Sequence, residues 1–166
     1  MARLAAYKQH HEQSEGACAH AIGQSEKAER ALAQSEAICR AHGVRLTPIR
    51  RKVLETLYAT RRPLGAYDLA EALAPDGRRL APVTIYRALE FLIEQGLAHR
   101  LASQNAYIAT FHDDHETTAF LICEECGDVN EINPDALSST LAGLVQAEAF
   151  RPHARFLEIT GKCSQC

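Results

Sequence analysis

The sequence has no apolar run near the roughly 18 residues that a membrane-spanning helix requires, and this predicts a protein without a membrane span. Its first residues, MARLAAYKQHHEQSEG, lack the apolar core of an export signal, so we expect a cytoplasmic protein. P-loop, nucleophile-elbow and protein-kinase motifs are also lacking, and nothing in the sequence therefore indicates an enzyme. In the cytoplasm, cysteines are more often metal ligands or redox groups than parts of structural disulfides.

The composition is that of a soluble globular protein, because 46% of the 166 residues are hydrophobic and 23% are charged. A chain of this length forms one domain or two small ones. Its charge is uneven: residues 40–100 hold eleven basic and six acidic side chains, a net +5, whereas residues 101–166 hold three and ten, a net −7. This asymmetry suggests a polyanion partner on one side and cations on the other, although two solvated surfaces would give the same counts.

The first part of the chain is dominated by helix signals. Residues 1–24 contain few large apolar groups and predict a mobile or weakly helical arm. Apolar periodicity, with start and stop residues, then predicts four helices at about 25–42, 48–59, 66–74 and 82–96. Strand-like residues on both sides of Ser103-Gln104-Asn105 predict a hairpin over 97–109. The last three of these helices, followed by the hairpin, have the order of a winged helix-turn-helix. Residues 25–109 are therefore predicted to form a DNA-binding domain.

The rear part predicts a second, smaller domain. The polar, His- and Asp-rich residues 110–117 suit a hinge between the two. Beyond it, strands are predicted over 119–122 and 129–132, a helix over about 133–150 and a last strand over 154–160. The predicted fold class is therefore α+β, with an N-terminal winged helix-turn-helix domain followed by a small α/β domain at 118–166.

Two Cys-x-x-Cys pairs are the strongest chemical signal in the sequence. Cys123 with Cys126, and Cys163 with Cys166, have the spacing that lets two knuckles complete a tetrahedral sulfur site for structural zinc. A zinc ion would also stabilise a rear module whose core is small. The alternative is a redox pair, as in a thiol-disulfide oxidoreductase, but redox pairs usually occur singly and beside a helix start.

Imidazole and carboxylate side chains form a second constellation. His99 lies on the hairpin, His112 and His115 on the hinge and Glu131 on a rear strand, and such donors suit a divalent ion such as zinc. Weaker candidates for the same site are Asp113, Glu116 and His153. Because these residues belong to different modules, a bound ion would fix one module against the other. Ordinary surface histidines would give the same pattern.

The fourth predicted helix carries candidate DNA contacts. Val83, Ile85, Leu89 and Leu92 are expected to face the core, which leaves Thr84, Tyr86 and Arg87 near the helix start, where recognition helices meet bases. Arginine can bind guanine through two hydrogen bonds, and a tyrosine ring can lie against a thymine methyl group. Candidate phosphate contacts are Arg45, Arg50, Arg51, Arg78 and Arg79. A helix with a basic face would explain the same residues.

Together these segments resemble the ferric uptake regulator (Fur) superfamily, and its zinc uptake regulator branch in particular, from about Ile38 to Cys166. The segments that carry the resemblance are Arg45–Arg50, Ala66–Leu69, Val83–Leu89, Leu92–Leu97, Phe120–Gly127 and Gly161–Cys166. The resemblance implies a homodimeric repressor with an N-terminal winged helix, a C-terminal dimerisation domain, one structural zinc at the cysteines and at least one regulatory metal at the hinge. It also implies that His99 and Glu131 are hinge ligands, that Tyr86 and Arg87 lie on the recognition helix, and that zinc-replete protein binds palindromic double-stranded operator DNA of zinc-uptake genes.

The chain departs from the family pattern at the hinge. Iron-type members have a His-dense run before the first knuckle, whereas this chain has Glu116-Thr117-Thr118-Ala119-Phe120, which argues against an iron-type second site. Zinc-type members often have a cysteine near Thr110, and here His112 is taken as the substitute ligand. An iron- or peroxide-responsive member of the same superfamily remains the alternative, because nitrogen and oxygen ligands do not exclude iron or manganese.

Overall fold

The structure is a computed structural model that describes residues 18–60, 62–74, 80–111, 118–132, 135–152 and 156–166. These ranges contain both helices and strands, which confirms the mixed class predicted from the sequence. In chain order the elements are α1 (Cys18–Ala41), α2 (Pro48–Tyr58), α3 (Ala66–Ala72), α4 (Pro82–Glu94), β1 (Ala98–Leu101), β2 (Ala106–Ala109), β3 (Thr118–Cys123), β4 (Val129–Ile132), α5 (Asp135–Ala147) and β5 (Phe156–Gly161). None of the helices in these ranges is long and apolar enough to cross a membrane.

The helix boundaries follow the local signals with small differences. α1 begins at Cys18, earlier than the predicted start at 25, so the end of the predicted arm is helical. Pro48 opens α2 as expected, but the Thr47 side chain makes no capping hydrogen bond. Gly43 and Gly96, with φ of +69° and +70°, follow the ends of α1 and α4 and adopt the left-handed conformation that ends a helix.

A single apolar cluster joins the four helices of the front part to the hairpin. The side chains at its centre, none more than 1% exposed, are Val53, Leu54, Leu57, Leu69, Ile85, Leu89 and Leu92. The prediction that Val83 belongs to this core is wrong, since its side chain is 55% exposed. Val83 and Ile85 are separated by about 200° around a helix, so they cannot both face the core.

The rear part contains a three-stranded sheet in the order β4-β3-β5. β3 runs antiparallel to β4 and parallel to β5, and Phe120 pairs in register with Glu131 on one side and Glu158 on the other. Residues that pair across neighbouring strands project from the same face of a sheet, so these two carboxylates flank Phe120 on one face. α5 ends at Ala147, before the predicted end at 150.

The hairpin packs against the rear sheet as well as against the helices. Leu101 of β1 and Ile108 of β2 form a second apolar cluster with Phe120, Ile122 and Val129. The hairpin therefore lies between the two parts of the chain, and its position depends on both.

Candidate metal sites and DNA-binding surface

The structure brings the four predicted cysteines together. The Sγ atoms of Cys123 and Cys166 are 3.8 Å apart, those of Cys126 and Cys163 are 3.9 Å apart, and all four lie within 4.8 Å of one another. A tetrahedral zinc ion with Zn–S bonds of about 2.3 Å requires sulfurs about 3.8 Å apart. The four thiols therefore fit a closed zinc site, the kind that holds structure and leaves no open coordination position.

Strand pairing brings the two knuckles together. Cys123 at the end of β3 pairs with Gly161 at the end of β5, and the Glu124 N–H donates to the Gly161 carbonyl at 2.8 Å. The Lys162 ammonium and the Glu125 carboxylate, one from each knuckle, form an ion pair at 2.7 Å. Gly127, with φ of +73°, closes the first knuckle by donating to the Cys123 carbonyl at 2.9 Å.

The surroundings of Cys123, in the first knuckle, favour its metal-binding form. Backbone hydrogen bonds from Cys126 and Cys163 lower the pKa of Cys123 to about 6, although burial acts in the opposite direction. Since the thiolate is the form that binds metal, Cys123 is the cysteine of this knuckle that is favoured as a ligand. A backbone hydrogen bond from Asp128 lowers the pKa of Cys126, but its hydrogen bond with Cys123 and burial outweigh this and raise that pKa.

Two of the predicted hinge ligands come to the same face of the rear sheet. The half-buried His99 ring lies 5.1 Å from the Phe120 ring and 5.8 Å from the Phe156 ring, centroid to centroid. Glu131, which pairs with Phe120, accepts a hydrogen bond of 3.3 Å from the Phe111 N–H through Oε2. One imidazole and one carboxylate thus adjoin Phe120, at the junction of the front and rear parts, and nitrogen with oxygen donors suits a divalent transition metal.

The remaining hinge candidates lie outside the described residues; they are His112, Asp113, His115, Glu116 and His153. Across the ranges that the structure describes, the four cysteines are the one group of three or more ligand-type side chains close enough to hold an ion. The hinge ligand set therefore remains a prediction.

Thr110 lies near the position at which the resemblance described above implies a cysteine. It is 7% exposed, its carbonyl accepts from the Tyr58 hydroxyl at 3.0 Å, and its N–H donates to the Leu97 carbonyl at 3.1 Å. Its Oγ1 is buried and has no hydrogen-bond partner among the described residues. A buried polar atom without a hydrogen-bond partner costs free energy, so this hydroxyl oxygen is a further candidate ligand atom at the hinge.

α4 presents an exposed face at its N-terminal end. Val83, Tyr86 and Arg87 are exposed, with Tyr86 and Arg87 one helical turn beyond Val83, and Thr84 is half-buried beside them. Tyr67, at the start of α3, is 69% exposed. The exposure of Val83 and of Tyr67 was not predicted from the sequence. The exposure of Tyr67 could have been predicted, because it lies at the border of the apolar stripe that Leu69, Ala70 and Leu73 form on α3.

The five candidate phosphate contacts have different surroundings. Arg45 is exposed, whereas Arg50 lies 3.6 Å above the Phe91 ring and donates to the Arg45 carbonyl at 2.9 Å. Arg51 forms ion pairs with Glu36 of α1 and, at 2.8 Å, with Glu55. The guanidinium groups of Arg50 and Arg51 are thus engaged within the protein. The other two candidates, Arg78 and Arg79, lie outside the described residues.

Comparison with known proteins identifies the family. Residues 41–160 match the ferric uptake regulator family. The zinc uptake regulation protein of Escherichia coli is 36% identical over 137 residues, which cover 81% of this chain and 80% of that protein. The peroxide-responsive repressor PerR of Staphylococcus aureus is 27% identical over 144 residues, covering 85% and 95%.

Solved structures give the same result. A zinc uptake regulator complexed with zinc and DNA matches with a TM-score of 0.75 and 35% identity, covering 84% of this chain and 94% of that one. The crystal structure of holo XcZur matches with a TM-score of 0.71 and 36% identity, covering 81% and 95%. The chain belongs to the ferric uptake regulator family.

Proposed function

We propose that the protein is a zinc-responsive transcriptional repressor, which binds operator DNA of zinc-uptake genes as a homodimer when zinc occupies the hinge. The similarity to a zinc uptake regulator that binds zinc and DNA, over 84% of the chain, is the observation that carries this proposal. The lower identity to the peroxide-responsive repressor, 27% against 36%, favours zinc over the iron- or peroxide-responsive alternative.

The front part supplies the DNA-binding surface in this proposal. Residues 25–109 act as a winged helix, with α4 as the recognition helix and β1–β2 as the wing. The exposed Tyr86 and Arg87 would contact base edges, and the exposed Arg45 would contact a phosphate. In a two-fold dimer, half-sites should lie about 10–10.5 base pairs apart, or a multiple of that, because both recognition helices must enter the major groove on one side of the duplex.

The rear part, residues 118–166, acts as the dimerisation domain. β5 is an edge strand of the sheet as described, and its Phe156, Leu157 and Ile159 are exposed. Leu144 on α5 and Phe150 beyond it are 60% and 66% exposed. An exposed apolar edge strand is prone to pair with another chain, and a second copy of this chain would cover these side chains.

The two metal sites have different tasks. The cysteine site holds the ends of β3 and β5 together and so stabilises the rear part. His99 of the hairpin and Glu131 of the rear sheet, with residues of 110–117, would hold a zinc ion at the hinge, and the bound ion would supply a cross-link between the front and rear parts. Such an ion shifts the protein toward the DNA-binding arrangement only if it binds that arrangement more tightly.

Zinc-dependent DNA binding tests the proposal directly. The probe is a duplex of about 30 base pairs, long enough for two half-sites, selected from a random pool by the protein in excess zinc. We expect the protein with a metal-free hinge to bind this selected duplex at least tenfold more weakly, a difference of about 1.4 kcal/mol. Equal affinity with and without hinge zinc, or activation by iron or manganese and not by zinc, would contradict the proposal.

The enzyme alternative has no support from these comparisons, since the relatives named above are regulators and repressors. A thiol-disulfide oxidoreductase needs a reactive pair of thiols, whereas all four sulfurs here lie within 4.8 Å of one another in a closed arrangement. A cytoplasmic location, where a repressor meets its DNA, is part of the same proposal.

A further inference from the structure

The turn of the hairpin is attached to the rear sheet by one carboxylate. Glu158 of β5 accepts a hydrogen bond of 2.7 Å from the Ala102 N–H through Oε1 and one of 3.0 Å from the Ser103 N–H through Oε2. These residues are far apart in sequence, so the contact joins the front part of the chain to the rear part. We call this pair of hydrogen bonds the Glu158 clasp.

The two oxygens of the clasp are matched to two backbone donors. Adjacent N–H groups at a turn form a small anion-binding concavity, and hydrogen bonds to an ionised carboxylate are stronger than those between neutral groups. Burial raises the pKa of Glu158, but hydrogen bonds from Ser103 and from the Ala102 N–H outweigh it, so the pKa falls below its ordinary value. The carboxylate is therefore ionised at neutral pH and keeps its acceptor capacity.

The position of the clasp relates it to the hinge. Glu158 and Glu131 flank Phe120 in register on one sheet face, and each accepts from a backbone N–H of the front part, the first at the hairpin turn and the second at Phe111. His99, midway along β1, contacts Phe120 between them. The hairpin is thus held at its turn by Glu158, at its centre by ring packing and at its base by Glu131.

We infer that Glu158 is a positioning residue for DNA binding, which fixes the orientation of the β1–β2 hairpin, and of the helices packed on it, through the backbone of Ala102 and Ser103. This inference rests on the proposed function, because it concerns the arrangement that grips DNA. Unlike the hinge site, the clasp needs no metal. The clasp restricts rotation of the hairpin against the rear sheet, so that less rotation is left for a hinge ion to restrict.

The test replaces the carboxylate by its amide. Glu158→Gln keeps the shape but leaves one acceptor oxygen, and its NH₂ group faces a backbone donor. We expect the affinity of zinc-saturated protein for the selected duplex to fall about tenfold, as expected for losing hydrogen bonds to a charged group. Glu94→Gln, which removes the same charge at an exposed position at the C-terminal end of α4, is the matched control and should leave the affinity unchanged.

A second measurement reports on the clasp without DNA. In ¹H–¹⁵N correlation spectra of the wild-type protein, the amide protons of Ala102 and Ser103 should resonate downfield, and Glu158→Gln should move both upfield while the four-cysteine zinc remains bound. Amide resonances that do not respond would overturn the clasp, and a full response with unchanged DNA affinity would overturn its positioning role. Wild-type protein that fails to bind DNA in zinc would contradict the proposed function, while the spectra still report on the clasp.

Discussion

The rings of His99 and Phe120 meet with their centroids 5.1 Å apart and their planes inclined by 62°, and this contact joins the hairpin to the rear sheet. An imidazole edge against a phenyl ring is a favourable arrangement, worth about 0.5–1.5 kcal/mol for comparable ring pairs. The same imidazole is a predicted metal ligand, so the ring packing fixes its orientation before an ion binds.

Removal of the His99 imidazole separates metal response from folding. We expect His99→Ala to lose zinc-stimulated DNA binding, because a hinge ion would lose one of its protein ligands, while the dimer and the four-cysteine zinc remain. DNA affinity measured over a zinc titration, with zinc counted per chain, checks this. The control is His42→Ala at the end of α1, where the histidine contacts Gln95 and not the hinge. A His99→Ala protein that responds fully to zinc would refute the hinge assignment.

Loss of one cysteine at the four-sulfur site should act on stability instead. Cys123→Ser leaves an incomplete sulfur shell, and since structural zinc contributes about 10 kcal/mol or more to folding, we expect the rear part to unfold or the dimer to separate. Zinc content and sedimentation measure the two effects. Cys39→Ala is the control, because Cys39 is buried in the front core and its loss should leave the zinc count unchanged.

The exposed face of α4 should carry sequence discrimination. Arg87→Ala is expected to lose about 1–3 kcal/mol of DNA-binding free energy. It should also tolerate altered bases at one position of each half-site. Arg45→Ala should weaken binding to all duplexes equally and reduce its salt dependence, as expected for a phosphate contact. Affinities for a panel of single-base variants of the selected duplex distinguish them, and uniform weakening by Arg87→Ala would assign that residue to a phosphate.

A buried tyrosine links the helices to the hinge. The Tyr58 hydroxyl donates to the Thr110 carbonyl and contacts the Ser35 hydroxyl at 3.1 Å, while its ring lies 5.1 Å from that of Phe111. Tyr58→Phe should lower the free energy of unfolding by about 1–2 kcal/mol, since a buried carbonyl loses its donor. Denaturant unfolding measures the change. An unchanged unfolding free energy would show that this hydroxyl contributes nothing to stability.

The same tyrosine predicts a pH dependence. Burial, with a smaller contribution from the charge of Glu131, raises the pKa of Tyr58 to about 12, although its bond with Ser35 acts in the opposite direction. The folded state therefore holds this proton more tightly than the unfolded state, whose tyrosine titrates near pH 10. The stabilisation is complete below about pH 10 and disappears as the pH rises toward 12. In Tyr58→Phe, the free energy of unfolding should lack this part of its fall between about pH 10 and 12. Identical pH profiles of the unfolding free energy for the two proteins would contradict this role of Tyr58.

Local signals were enough to predict most elements and the cysteine site. The period of apolar residues, with prolines at helix starts and glycines beyond helix ends, predicted the bounds of α2–α4 and the end of α1 to within two residues. The start of α1 at Cys18 was not predicted, because residues 18–24 carry few large apolar side chains. Two Cys-x-x-Cys spacings predicted a four-sulfur cluster, because the short spacing leaves few other geometries. The assignment of Val83 to the core failed for a local reason too, since the helical period itself places it opposite Ile85.

Contacts between distant segments could not be predicted in the same way. The clasp of Glu158 on the hairpin turn depends on the register of β5 with β3 and on the packing of β1 against the sheet. Neither the register nor the packing can be predicted from the spacing of residues in the sequence. The internal contacts of Arg50 with Phe91 and of Arg51 with Glu36 likewise arise only when helices pack. From the sequence, these two arginines were indistinguishable from free surface cations.

In the proposed function an ion at the hinge favours the arrangement that binds DNA, and thermodynamic linkage between zinc binding and DNA binding tests this directly. If zinc tightens DNA binding by some factor, DNA must tighten zinc binding by the same factor. The measurement is the zinc affinity of the hinge site by competition with a chelator, with and without saturating selected duplex. We expect this zinc affinity to rise at least tenfold with DNA; a zinc affinity that DNA leaves unchanged would contradict the proposed role of the hinge ion.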